Sequence, residues 1–271
     1  WLVIPANRSR LSPVNFQDTQ LIGVLARAES TVSSLSSLLG GLVEKFAARG
    51  YSLYLVGGSV RDALLGRLGN DLDFTTPARP EVVKEILDEW AETVWDTGID
   101  FGTVSAAYKG QQIEITTFRS DSYDGQSRNP EVVYGDTLEG DLVRRDFKAN
   151  AMAIELLADA SFKFHDPLHG LQDIADRVLD TPDKPEISFH DDPLRMLRAA
   201  RFVSQLEFRV ADRVVEAMRD MAGEIQRITV ERVQVELDKL ICGTAPWDGI
   251  DLLVSTCLLY TSDAADEGLG V

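Results

Sequence analysis

At 271 residues, with 44% hydrophobic and 26% charged residues, the chain has the balance of a globular protein and room for one large core or two modest ones. That composition excludes disorder as the default reading. No apolar run approaches the roughly 18 residues of a membrane span, and the opening WLVIPANRSR lacks the charged-then-apolar order of a signal peptide, so the expected compartment is the cytoplasm and no membrane partner is foreseen. The net charge of −17 argues against broad, non-specific RNA binding, but the 27 Lys and Arg leave room for a local basic cleft.

Cys242 and Cys257 lack metal-ligand spacing and are too few for a disulfide framework, which predicts two inert thiols. The His190-Asp191 pair stands without the further His and Asp that a metal phosphohydrolase needs and is read as chance.

In chain order, residues 1–33 are rich in Ser, Asn and Pro and predict an irregular leader. Leu35, Leu38, Leu39, Leu42, Val43 and Phe46 recur at helical spacing up to Gly50. An apolar strand over 53–56 is broken by Gly57-Gly58, and a helix follows to Gly66. Residues 71–75 alternate as a strand does, 80–90 form an amphipathic helix, and 102–108 with 111–118 read as two strands turning at Lys109-Gly110. The polar segment 119–135 is long enough to predict a mobile functional loop. Beyond Leu168 the pattern is helical, while 258–271 carry neither helical period nor cap and predict an irregular tail. The expected organisation is a mixed α/β head over 34–170 and a helical neck over 171–257.

The chemistry is concentrated around 57–76. Residues two apart on a strand face the same way, so Asp71 and Asp73 project together while Leu72 and Phe74 point to the core. Two carboxylates in one small volume repel unless a cation neutralises them, and Mg²⁺ bound by one or two carboxylates plus substrate phosphates does so in phosphoryl-transfer sites. An isolated Asp-x-Asp is more often a solvated surface feature. Here Gly57-Gly58 opens a helix just before it, and amides at such a turn favour an anion such as a triphosphate, with Arg61 one turn further on.

The run GGSVRDALLGRLGNDLDFTT resembles the signature of the class II tRNA nucleotidyltransferase (CCA-adding enzyme) and bacterial poly(A) polymerase family, within the polymerase-β-like superfamily. RRDFKANAMA at 144–153, DDPLRMLRAARF at 191–202 and ERVQVELDKL at 231–240 continue the resemblance, in the family's order, so that it covers roughly 51–241. It implies an α+β fold, a polymerase-β-like nucleotidyltransferase head with a mixed sheet and flanking helices followed by an all-α neck. It further implies that Asp71 and Asp73 hold Mg²⁺, with Glu114 as a third carboxylate, and that Gly57, Gly58 and Arg61 bind the phosphates of the incoming nucleotide. Arg145 would lie near sugar and phosphates, Asp146 would accept from the ribose 2′-hydroxyl, and Asn150 would support that geometry. Lys148 stands where the family usually has Thr.

In the third motif, Asp192, Arg195, Arg198 and Arg201 spread over one half of a helix whose other half is Met196, Leu197, Ala200 and Val203. A carboxylate and a guanidinium one turn apart offer acceptors and donors to a base edge, so protein side chains can stand in for a template strand. By resemblance Asp192 and Arg195 would read C or A, and Arg198 and Arg201 would steady phosphates; on the plain structural reading, Asp192 caps the helix and meets Arg195 as a surface pair. Asp191 replaces the family's usual Glu, and Glu231 and Arg232 belong to the later helical motif. The implied activity is addition of CMP and AMP from CTP and ATP to the tRNA 3′ end. Poly(A) polymerases and enzymes adding only A or only C share these motifs, and a catalytically idle nucleotide- or RNA-binding remnant would keep them. Aminoglycoside-type transfer shares the strand carboxylates but does not need the second and third motifs.

Overall fold

A computed structural model of the chain describes residues 16–120 and 133–259. Two compact units emerge, one formed by Trp1–Arg145 with Ala149–Ala175 and the other by Asp146–Lys148 with Asp176–Val271. The first is an α+β head built on a seven-stranded mixed sheet; the second is helical. Among the described residues no helix is long and apolar enough to cross a membrane.

The head begins with a long helix, α1 (Phe16–Ala48), followed by β1 (Leu53–Val56), α2 (Gly57–Leu65), β2 (Asp71–Thr76) and α3 (Pro80–Asp88). Next come β3 (Thr93–Trp95), β4 (Thr103–Tyr108) and β5 (Gln111–Thr117). The short β6 (Arg119–Ser120) pairs with β7 (Val133–Tyr134), and α4 (Leu138–Val143), β8 (Ala153–Leu156), β9 (Phe162–His165) and α5 (Gly170–Asp176) complete the unit. Sheet order is β3-β4-β5-β2-β1-β8-β9. Only the β2–β5 pair is parallel, because α3, β3 and β4 intervene and bring β5 back beside β2 in the same direction. At the β4–β5 hairpin Lys109 (φ 47) and Gly110 (φ 77) both take positive φ, as a two-residue turn matching the strand twist requires.

The irregular leader expected over 1–33 is corrected for residues 16–33, which are continuous with the predicted 35–49 helix. Val24, Ala28, Val32, Leu35, Leu39, Leu42, Val43 and Phe46 form one buried stripe at spacings of three and four. The stripe is thin because serines occupy the positions between. Arg27 Nε donates to the Leu64 carbonyl on α2, while Lys45 and Arg49 pair with Glu89 just past α3. Of the loop expected over 119–135, the ends pair as β6 and β7 and residues 121–132 lie outside the described residues, as does the expected 258–271 tail from 260 onward.

A second apolar layer of the head is formed by Val56, Phe118, Leu138, Leu142, Ala151 and Ala153. Thr137 caps α4 by accepting from the Gly140 amide. Asp141 on that helix is wholly buried; its Oδ1 accepts from Arg144 Nη2 at 2.8 Å and from the Arg119 amide at 3.3 Å, and its Oδ2 from Arg145 Nη2 at 3.0 Å. Burial by itself would raise the Asp141 pKa, but the guanidinium groups of Arg145 and Arg144 outweigh it and hold the carboxyl below the usual carboxylate range.

The helical unit contains β10 (Val178–Leu179), α6 (Pro185–Asp191), α7 (Leu194–Leu206), β11 (Arg209–Val210), α8 (Asp212–Asp220), α9 (Val230–Ile241) and α10 (Pro246–Ser255). The region beyond Leu168, read as helical almost throughout, also holds the parallel β10–β11 pair, too short to register as alternation. Phe147 and Phe202 meet edge-on at 5.8 Å in this unit's core.

Two outcomes follow from this packing. Val32 is fully buried, so Val32→Ala should lower unfolding free energy by about 1–2 kcal/mol in denaturant titration; no loss would return residues 16–33 to an undocked leader. The depressed pKa of Asp141 contributes stability above its unfolded value of about 3.9, lost as pH falls through the lower folded value. Acid unfolding of the native chain should therefore steepen below about pH 4 relative to Asp141→Asn.

Candidate functional site

Within the head the site is built on β2 and the β1–α2 turn. Asp71 and Asp73 both lie on the open side of β2 while Leu72 and Phe74 are buried, as the alternation predicts. In register, Asp73 stands opposite Glu114 and Asp71 opposite Gln112 on β5. Loss of surrounding water raises the pKa of Asp73, the Glu114 and Asp71 carboxylates raise it further, and Arg145 and Arg61 pull against them. Ionised Asp73 is therefore electrostatically strained. Among the described residues no three His, Cys, Asp or Glu converge to hold a cation, so Glu114 is placed as an electrostatic neighbour of the pair.

Gly57 begins α2 with φ +66, a conformation L side chains rarely adopt. A Cβ there would lie 2.7 Å from Arg145 Nη1 and 4.0 Å from Asp73 Oδ2, so the guanidinium and the carboxylate both border this bare backbone. No side chain caps α2 and its first turn has no acidic residue, leaving the helix's positive end uncompensated. Two carboxylates beside such a turn suit a divalent cation whose remaining ligands are phosphate oxygens.

Arg61 is anchored at the same turn. It is buried, with Nε and Nη2 on the two carboxylate oxygens of Asp62 at 3.0 and 2.9 Å, and its Nη1 donates to Asn150 Oδ1 at 2.7 Å. Its Nη2 sits 3.4 Å from where a Gly58 Cβ would be, so it supports the turn from beneath. Asn150 thus acts on Arg61. Sequence reasoning also passed over Ser59, whose hydroxyl accepts from the Asp73 amide at 2.9 Å and donates to the Asp71 carbonyl at 3.4 Å, pinning the turn to the backbone between the two aspartates. Nothing distinguishes that serine in the sequence. Asp141 was passed over too, although an acid three and four residues before Arg144 and Arg145 is a helical ion-pair spacing that could have marked it.

In the helical unit the expected row is altered at its start. Pro193 precedes α7, so Asp192 is extended (φ −142, ψ 97) just before that helix, where it takes the capping role of the plain reading but does not pair with Arg195. Its Oδ1 accepts from the Leu194 amide at 3.2 Å and its Oδ2 pairs with Arg232 at 3.2 Å. Arg195 Nη1 donates to Ser188 at 2.8 Å. Asp146 accepts from Arg198 Nε at 2.9 Å and from the Phe147 amide at 2.8 Å. Buried Glu236 on α9, another residue the sequence did not single out, lies 2.6 Å from Arg201 Nε and 3.8 Å from Arg198 Nη1. Arg198 and Arg201 are thus engaged by carboxylates of their own unit.

Residues 53–180 match the family model of the Poly A polymerase head domain, and 207–261 match that of the probable RNA and SrmB-binding site of polymerase A. The chain is similar to the CCA-adding enzyme of Listeria innocua, 41% identical over 214 residues, covering 79% of this chain and 52% of that one. Its fold is similar to that of the Bacillus stearothermophilus CCA-adding enzyme in complex with CTP, with a TM-score of 0.71 and 37% identity over 82% of this chain and 52% of the other. A tRNA nucleotidyltransferase complexed with a primer tRNA and an incoming ATP analog gives a TM-score of 0.68 at 27% identity over 80% and 61% of the respective chains. The chain spans about half the length of the curated relatives it matches. With head motifs, register and both family models in agreement, the chain belongs to the tRNA nucleotidyltransferase and poly(A) polymerase family.

Proposed function

We propose that this chain carries the nucleotide-transfer chemistry of an RNA 3′-end nucleotidyltransferase, adding CMP and AMP from CTP and ATP to tRNA in the cytoplasm. The observation that carries the proposal is the side-by-side projection of Asp71 and Asp73 beside an uncapped helix start, with Arg145 against Gly57. The CCA-adding enzyme in complex with CTP, at 37% identity, and a CCA-adding enzyme with ATP, at 27% identity, support CTP and ATP as donors.

Asp71 and Asp73 would hold Mg²⁺, which when bound supplies neutralisation of the triphosphate and activation of the attacking hydroxyl. The chain's own residues do the rest. Gly57 and Gly58 let the phosphates approach the backbone, and the α2 amides with Arg145 offer them donors. Arg61, fixed by Asp62 and Asn150, adds positive field beneath the turn. Glu114 keeps the carboxylate pair in need of a cation. In the helical unit, Asp192 and Arg195 are assigned to the base edge. A carboxylate oxygen accepts more than one donor, so Asp146 can take a ribose hydroxyl while it holds Arg198.

Replacing Asp71 and Asp73 together by Asn should lower nucleotide transfer by roughly a thousandfold or more while stability holds or rises by a few tenths of a kcal/mol, since like-charge repulsion is relieved. Retained metal-dependent transfer in the folded double variant would sink the metal assignment. Equilibrium binding of CTP, ATP, UTP and GTP with Mg²⁺ tests selectivity: CTP and ATP should bind well above the others, and Asp192→Ala or Arg195→Ala should erase the preference. Binding of ATP alone would instead identify a poly(A) or A-adding enzyme, and binding of none an idle remnant.

A further inference from the structure

Arg145 meets the Gly57 turn with Nη1 and Asp141 with Nη2. A guanidinium is planar and rigid, so whatever grips one end sets the direction of the other. The Nε of Arg145 is buried without a hydrogen-bond partner, which leaves Asp141 as the carboxylate that orients the group among the described residues. Asp141 is itself immobilised, for Arg144 and the Arg119 amide hold its other oxygen. The guanidinium also has a competing acid close by, because Asp73 Oδ2 borders the same glycine. A cation on a long side chain beside an unneutralised carboxylate pairs with it unless restrained.

We infer that Asp141 is a positioning residue for the proposed transfer reaction: it aims Arg145 at the Gly57 turn for a nucleotide triphosphate and keeps it from collapsing onto Asp73. The inference rests on the nucleotidyltransferase reading above. Asp141 touches neither nucleotide nor metal in this role, and its action is carried by Arg145. A buried acid in a phosphate site lowers the local positive charge, and orientation is what it supplies in exchange.

The test is equilibrium binding of CTP and of CMP, with Mg²⁺, to the native chain, Asp141→Asn, Arg145→Ala and the double variant. Asp141→Asn should weaken CTP on the order of tenfold and leave CMP unchanged, and should add nothing once Arg145 is already Ala. Equal losses for CTP and CMP, or an undiminished Asp141→Asn effect in the Arg145→Ala background, would mean that the acid only supports the fold and would overturn the inference. Should Asp141→Asn not fold, Arg145→Lys serves, because lysine held by Asp141 has no second edge to present. It should lose CTP selectively, and native-like CTP affinity there overturns the inference as well. Failure of the native chain to bind CTP overturns the function reading and this inference together, whereas native binding with no selective loss overturns this one alone.

Discussion

Electrostatic repulsion between Asp71 and Asp73 is the constraint on which the rest of the head depends. Placing two carboxylates on the open face of one strand, with Glu114 in register beside them, opposes ionisation of Asp73 and works against the folded state. The fold answers with an uncapped helix start and two arginines at the β1–α2 turn, none of which closes over the pair. Compensation by field rather than by direct pairing leaves the carboxylates available to a cation. This also reconciles a net charge of −17 with the proposed phosphate chemistry, because the sign of the charge at one turn is set by a few anchored groups.

Each of those arginines is fixed from behind by acceptors of its own. Arg61 rests on Asp62 and Asn150, and Arg145 on Asp141. Holding guanidinium groups this way costs burial of polar atoms, and the fully buried Asp141 shows the size of that commitment. The benefit is that little side-chain freedom remains to be lost when a ligand arrives. Ser59 applies the same logic to the backbone, joining turn and strand through one hydroxyl.

Local periodicity made much of this legible in the sequence. The alternation over 71–75 places the aspartates correctly because strand geometry depends only on neighbours two residues away. Lys109-Gly110 reads as a hairpin for the same local reason. What failed depended on distant partners or on a single interrupting residue. The first half of α1 looks irregular because only Val24, Ala28 and Val32 mark its buried stripe, and only docking on the head reveals it. Asp192 drops out of the predicted helical row because a residue before proline is pushed into extended backbone, which leaves it as the cap in front of α7. Asn150 shows no sign in the sequence of being bound to Arg61, which lies 89 residues away.

Lys148 illustrates how a departure from family pattern is absorbed. It stands in the RRDFKANAMA run, where a change would be suspected of altering substrate contact. In the structure its ammonium lies 2.6 Å from Asp180, a carboxylate that Arg213 also holds at 2.7 Å. Burial alone would raise the Asp180 pKa, but hydrogen bonds from Arg213 and Lys148 pull it below the usual range, so the acid stays ionised and bridges two cations of the helical unit. The same short segment joins that unit through the Asp146 pairing with Arg198 and the edge contact of Phe147 with Phe202. Three consecutive residues thus take part in the packing of the helical unit while Arg145, immediately before them, belongs to the head. Lys148 is therefore engaged in the packing of the helical unit through Asp180.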